Sequence, residues 1–328
     1  MLKLAMALAP LTDDGLAAVA QVGVKHLVQY DMSNRSEKFD GIEGLIARAS
    51  RFGLDVPIVE SGPPIDRIVL GLDGASAQIE EWIVLLKRLG TLGVKVVCYN
   101  FMPQVLADAM VVRTDVAAST RGGSITTAFR KDDLPSPAIS IVPPATAEAM
   151  TDNLGAFLKR VLPVAEDAGI RLAMHPDDPP MSPISGYARI MSSTERLEWL
   201  LGLNSSPANA LTLCAGCFGE MNEDPSSFLR RFPSRIAFVH LRNIRGTPND
   251  FVETWPDDGD IDLPRLLATL LELNVDAYLR PDHAPRLSTE AQDTAGYGFQ
   301  GHLFTLGYIR GVLDAYLQKS SMTNVLAA

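Results

Sequence analysis

The sequence predicts an α/β protein of one domain, a (β/α)8 TIM barrel with a long insertion after its fourth strand. Three observations predict it. Short β-rich runs alternate with helix-sized amphipathic segments along the whole chain, the pattern of parallel strands joined by crossover helices. No glycine-rich phosphate fingerprint follows the first run, which argues against a doubly wound open sheet. The 328 residues suffice for one large domain or two smaller ones, and the unbroken alternation favours one, spanning 1–319.

The strands read in order as LKLAMAL (2–8), HLVQYD (26–31), VPIVES (56–61), VKVVCYN (94–100), RLAMHP (171–176), ALTLCAG (210–216), IAFVHLRN (236–243) and DAYLRPDH (276–283). Most are near-continuous apolar runs, as strands covered on both faces require. The opening MLKLAMALAPLTDD has the look of a signal peptide, but its apolar run is short and Asp13 and Asp14 follow at once, so it reads as the first strand. Between strands, Ile79, Trp82, Ile83 and Leu86 recur at helical spacing, as do Leu154, Phe157, Leu158, Val161 and Leu162. Pro163 falls inside the second pattern and is expected to kink or shorten that helix. Residues 101–145 show no clear pattern; they hold RGGS (121–124) and PSPAISIVPP (135–144) and read as a lid, a binding loop or an oligomer arm. The tail, 320–328, reads as flexible.

The net charge of −10 disfavours a nucleic-acid surface, which needs clustered Lys and Arg. No run of about 18 uncharged apolar residues is present, so no membrane span is expected. Three cysteines, Cys98, Cys214 and Cys217, are too few and too oddly spaced for a disulfide framework, and a reducing cytoplasm is the natural compartment.

In a barrel the chemistry collects where strands end, because the loops there share one mouth. The last residues of strands five to eight include His175, Cys214, His240 and Asp282, and each is a possible metal ligand. Taken singly, a strand-end histidine is more often a packing residue, a lone cysteine a small hydrophobe, and an aspartate a turn or cap residue. Their convergence favours a metal site: the chain has five histidines, at 26, 175, 240, 283 and 302, and three of them fall at this mouth. Cys217 rivals Cys214 but lies past Gly216, beyond the strand. His26 begins its strand at the opposite rim and reads as structural. His283 follows Asp282, so by alternation it is better placed as an acid or base beside the metal. Tyr297, in GYGFQG (296–301), sits on a glycine-flanked loop able to bring a phenol over the mouth, or on a plain glycine-rich turn.

These stretches resemble the mannonate dehydratase family. The matching segments are VVCYNFMP (96–103), VRT (112–114), VLPVAEDAGIRLAMHPDDPP (161–180), LTLCAG (211–216), FVHLRN (238–243), RPDH (280–283) and GYG (296–298), in family order. The resemblance implies a barrel binding manganese(II), or another divalent ion such as iron(II), through His175, Cys214, His240 and Asp282. It places the family's catalytic histidine on His283 and its catalytic tyrosine on Tyr297. The implied reaction is loss of water from D-mannonate to give 2-keto-3-deoxy-D-gluconate, a step in glucuronate breakdown. A dication suits charge developing beside the substrate carboxylate, and His or Tyr suits the two proton transfers. By softness alone, one thiolate with two imidazoles suits zinc or iron(II) at least as well as manganese.

Asn100, Arg113, Arg242 and Asn243 lie in matched segments and are read as contacts to a polyhydroxylated carboxylate, with fixing of the loop after strand seven as the alternative for the last two. Asp177 and Asp178 read as shaping the PDDPP turn. The first seventy residues match the family poorly, and FVETWPDDGDID (251–262) lacks the histidines often found there. Two other readings follow: a xylose-isomerase-like sugar isomerase or epimerase, and a non-catalytic paralogue that binds metal and a sugar acid. A homo-oligomer, with 101–145 as a contact, is compatible with either.

Overall fold

In the computed structural model, residues 2–8, 11–30, 41–60, 63–103, 111–134, 145–290 and 296–326 are described. Twelve strands are present among them: β1 (Lys3–Ala7), β2 (His26–Gln29), β3 (Asp55–Glu60), β4 (Val96–Tyr99), β5 (Asp115–Ser119), β6 (Ile125–Arg130), β7 (Arg171–Met174), β8 (Asn209–Cys214), β9 (Ile236–Leu241), β10 (Asn243–Thr247), β11 (Asp250–Thr254) and β12 (Tyr278–Pro281). Eight of them close into a barrel in the order β1-β12-β9-β8-β7-β4-β3-β2, with parallel pairing throughout. These are the eight runs expected from the sequence.

The helices lie outside: α1 (Asp13–Gln21), α2 (Ile42–Ser50), α3 (Asp66–Leu70), α4 (Ala75–Thr91), α5 (Ala147–Asp167), α6 (Thr194–Gly202), α7 (Ala215–Glu220), α8 (Pro225–Arg231), α9 (Leu263–Glu272) and α10 (Phe299–Leu326). Thr12 caps α1 by accepting from the Gly15 backbone N–H, so the Asp13–Asp14 pair opens a helix after the first strand. Between helices and strands lies a continuous layer of Leu, Ile, Val and aromatic side chains, where Trp82 of α4 meets Phe157 of α5 edge-on at 5.2 Å. Inside the barrel the filling is smaller, with Ala5, Ala7, Ala173, Ala210 and Ala237 beside Val28, Ile58, Cys98, Phe238 and Tyr278.

Pro163 does not shorten its helix; α5 runs for 21 residues across it. Pro163 and Lys159, whose carbonyl loses its partner there, are both exposed, and water can serve that carbonyl.

The insertion differs from the expectation of a patternless loop. β5 and β6 form a hairpin, and β6 pairs antiparallel with β11, giving a second sheet of order β10-β11-β6-β5. Half of this sheet comes from the insertion and half from a hairpin after the seventh barrel strand. Its strands are short and largely polar (DVAAS, ITTAFR, NIRGT, DFVET), which conceals them from a search for apolar runs. RGGS supplies the first turn, with Gly122 and Gly123 both at positive φ. One small cluster, Val112, Phe129, Ile184, Ile244 and Phe251, packs this sheet onto the rest. The segment 135–144 lies outside the described residues. α10 continues to Leu326, into the stretch read as a tail.

Candidate active site

The inward positions can be followed up each strand, because alternate residues share a face. Ala173 is followed by His175, Ala210 and Thr212 by Cys214, Phe238 by His240, and Tyr278 and Arg280 by Asp282. Register aligns them: Cys214 pairs with His240, and His240 with Arg280, on adjacent strands. The same rule puts Tyr30, Glu60 and Asn100 at the inward ends of β2, β3 and β4. Among the described residues one cavity is lined by these three with Met102, His175, Asp178, His240, Asp282, His283 and Tyr297.

Four donor groups converge there. His175 Nε2 is 3.2 Å from His240 Nδ1, which is 3.7 Å from Asp282 Oδ2; that oxygen is 3.9 Å from Cys214 Sγ. Donor atoms of His175, Cys214 and His240 all lie within 4.8 Å of one another. His175 Nδ1 is 2.7 Å from the Pro176 carbonyl, which can accept only from an N–H, so Nε2 is the atom that faces the cluster and becomes the lone pair once the ring is neutral. Although burial opposes it, contact with Cys217, the Arg242 charge and the two imidazoles hold the Cys214 thiol well below its ordinary value. The group is thus set up as a thiolate, the form that binds a metal. Against burial, the thiolate raises His175 to about 9. Asp282 is likewise held down by His283 and Arg280 despite burial.

Donors about 2.0–2.3 Å from a tetrahedral ion stand roughly 3.3–3.7 Å apart. His175, Cys214 and His240 lie within 4.8 Å of one another and Asp282 within 3.9 Å of two of them, so a small contraction would let these residues hold a common dication. Cys217 touches Cys214 and accepts from Arg242 Nη2 at 3.3 Å, but it groups with Asp178 and Glu220 and not with the two imidazoles.

Behind the donors lies a buried ion-pair network. Arg242 donates to Asp178 Oδ2 at 2.7 Å, Glu220 Oε1 at 2.8 Å and Glu253 Oε1 at 2.9 Å, and its Nε lies 3.1 Å from Asp282 Oδ2. Arg113 donates to Asp178 at 2.5 Å and Glu253 at 2.7 Å. Arg242 crosses Gly216 so closely that a Cβ there would stand 2.5 Å from its Nε. Asn243 donates to the carbonyls of Pro256 and Ile261 and holds the loop after β11. Arg113, Arg242 and Asn243, expected as substrate contacts, make their hydrogen bonds here to protein partners, and for Asn243 these are the loop-fixing bonds of the alternative reading. Asn100 does line the cavity, its Oδ1 accepting from the Met102 N–H at 3.1 Å. Asp177 accepts from the Met191 N–H at 2.7 Å and shapes its turn, whereas Asp178 belongs to the network.

Of the two proton-transfer candidates, His283 has its Nδ1 2.5 Å from Glu253 Oε1 and its ring 5.0 Å from that of Tyr297. The Tyr297 hydroxyl is 2.8 Å from that of Tyr30. Sequence reasoning missed Tyr30, Glu60, Glu253, Arg280 and His302. Arg280 joins Glu60 at 2.7 Å and Asp282 at 2.8 Å, and His302 Nε2 donates to the Asp282 carbonyl. His26 is structural, paired with Asp55 at 2.7 Å.

A closed parallel barrel with imidazole, thiol and carboxylate donors gathered at one mouth is the architecture of a (β/α)8-barrel enzyme. The fold is shared with a D-tagatose 3-epimerase-like protein, with a TM-score of 0.62 at 14% identity over 97% of this chain and 99% of that one. The model of the D-mannonate dehydratase family matches residues 13–142 and 144–323, and the chain belongs to that family. The mannonate dehydratase of Endomicrobium trichonymphae is 33% identical over 314 residues, 84% of each chain. Mannonate dehydratase 1 of Halalkalibacterium halodurans is 32% identical over 85% of each. The crystal structure of mannonate dehydratase from Streptococcus suis serotype 2 has a TM-score of 0.88 at 28% identity, covering 98% of this chain and 96% of that one. The likeness to an epimerase is one of fold alone, so the isomerase reading gains nothing from it.

Proposed function

We propose that the protein is a hydro-lyase that removes water from D-mannonate to give 2-keto-3-deoxy-D-gluconate. We further propose that His175, Cys214, His240 and Asp282 hold its divalent ion. The observation that carries the metal assignment is the mutual approach of His175, Cys214 and His240 within 4.8 Å, with Asp282 3.7 Å from His240 and 3.9 Å from Cys214; family membership carries the substrate. Manganese(II) is proposed on the resemblance, with iron(II) and zinc equally suited to the donors. When bound, the ion supplies Lewis-acid stabilisation of charge growing beside the substrate carboxylate.

The chain's own groups divide the proton work. Glu253 accepts from His283 Nδ1–H, so in the neutral ring Nε2 is the lone pair, and His283 takes the proton from carbon 2. Tyr297 donates its hydroxyl proton to the hydroxide leaving carbon 3, with Tyr30 hydrogen-bonded behind it. Asn100 offers an amide to the sugar-acid hydroxyls. The setting proposed is cytoplasmic glucuronate breakdown; no helix among the described residues is long and apolar enough to cross a membrane. A homo-oligomer in contact through the insertion is checked by light scattering. The test of function is to supply the purified protein with manganese and D-mannonate and assay the 2-keto-3-deoxy acid. No product from any of a panel of aldonates overturns the proposal.

A further inference from the structure

The accessory sheet has no evident part in closing the barrel, yet it places one carboxylate at the site. Glu253 lies on β11, outside the barrel, with only 1% of its side chain exposed. Its Oε1 meets His283 Nδ1 at 2.5 Å, Arg113 Nη2 at 2.7 Å and Arg242 Nη1 at 2.9 Å. Its Oε2 accepts from Thr127 Oγ1 of β6 at 2.8 Å. Pairing of Phe251 with Phe129 and of Val252 with Ala128 brings Glu253 level with Thr127. Arg113 and Thr127 both belong to the stretch inserted after the fourth barrel strand. Two side chains of that insertion thus hold one oxygen each of a single carboxylate.

A neutral imidazole carries its proton on one nitrogen, and the hydrogen bond made by the other end of the ring decides which. Left alone, His283 could present either an N–H or a lone pair to the cavity, and only the second can accept a proton. A carboxylate clamped between two guanidinium groups is an acceptor only, so Nδ1 must hold the hydrogen. The oriented carboxylate of a catalytic triad acts by the same logic.

We infer that Glu253 is the positioning residue for His283, setting its tautomer and ring orientation, and that the insertion serves the reaction by holding Glu253 in place. The inference rests on the reading of His283 as the group that takes the carbon proton. It assigns the insertion a task inside the site, apart from any lid or oligomer contact.

The test compares Glu253→Ala, Glu253→Gln, His283→Asn and the two double variants in the manganese-loaded enzyme with D-mannonate. Glu253→Gln keeps the side chain's size and guards against misfolding of the alanine variant. Glu253→Ala is expected to lower kcat about 100-fold or more, and Glu253→Gln about tenfold, with KM changed less than threefold. Metal content should be unchanged. In the His283→Asn background, neither change should lower the residual rate further, because the group it acts through is gone. Losses that multiply in the double variants, or a KM that rises with kcat unchanged, would overturn the inference. If His283→Asn retains full activity, the reading of His283 fails instead. ¹⁵N NMR of the zinc-loaded protein then still decides on Glu253: the His283 ring should carry hydrogen on Nδ1 in the parent and lose that preference in Glu253→Ala. An unchanged tautomer sinks the inference independently of turnover.

Discussion

Arg280 donates to Asp282 Oδ1 at 2.8 Å from two residues earlier on the same inward face, leaving Oδ2 turned toward Cys214 and His240. The same guanidinium holds Glu60 at 2.7 Å, so one buried cation orients two carboxylates at the mouth. Arg280→Met should lower metal affinity about 10–100-fold, as loss of a partner that orients a ligand does. It should also destabilise the fold by about 3–5 kcal/mol, because two buried carboxylates lose the cation they share. Metal titration and thermal unfolding measure the two effects separately.

Cys214 and Cys217 are three residues apart, yet only the first shares a donor cluster with His175 and His240. Cys214→Ser should weaken metal binding by more than about 100-fold, since even indirect partners cost up to that much. Cys217→Ser should leave metal content near that of the parent. Elemental analysis of both purified variants checks the pair, and the reverse pattern would exchange the assignments.

Glu220 is wholly buried, and burial pushes its carboxyl up to about 8, with the Asp178 charge adding to the push and Arg242 pulling the other way. The folded state therefore binds a proton that the unfolded chain, at about 4.5, has released. Stability from this group is complete below the unfolded value and declines as pH rises toward and through about 8. Glu220→Gln should flatten that decline. Thermal midpoints of both proteins between pH 5 and 9 provide the comparison, and parallel curves would contradict it.

Tyr297→Phe should reduce kcat about 10²–10⁴-fold, as loss of a general acid does. Tyr30→Phe removes only the hydroxyl behind it, 2.8 Å away, and should cost about fivefold, the worth of one neutral hydrogen bond near 1 kcal/mol. Steady-state rates at saturating substrate rank the two, and equal losses would argue against Tyr297 as the donor.

The barrel was legible because its strands are buried on both faces and write themselves as apolar runs. The donor cluster was legible because barrel chemistry sits at strand ends. Carried to strands two and three, and two residues back along strand eight, the same alternation would have reached Tyr30, Glu60 and Arg280: each is inward-facing, and Arg280 lies two residues before a proposed ligand. Glu253 offered no such signal. It sits on a polar strand of five residues that pairs with neighbouring β10 on one side and on the other with β6, more than a hundred residues earlier, whose Thr127 holds its Oε2, and a contact that distant leaves no mark on local periodicity. The partners of Arg113 and Arg242 were hidden for a related reason. A cation near a mouth looks the same in sequence whether it meets substrate or, as here, Asp178 and Glu253.

The close passage of Arg242 over Gly216 also constrains how this site can change over time. The guanidinium is anchored on several sides and cannot swing away, while any side chain at 216 would need the space it occupies, 2.5 Å from the missing Cβ. A mutational survey that varies one position at a time would score both as immutable, and only variants that alter the two together could show whether another pairing is viable.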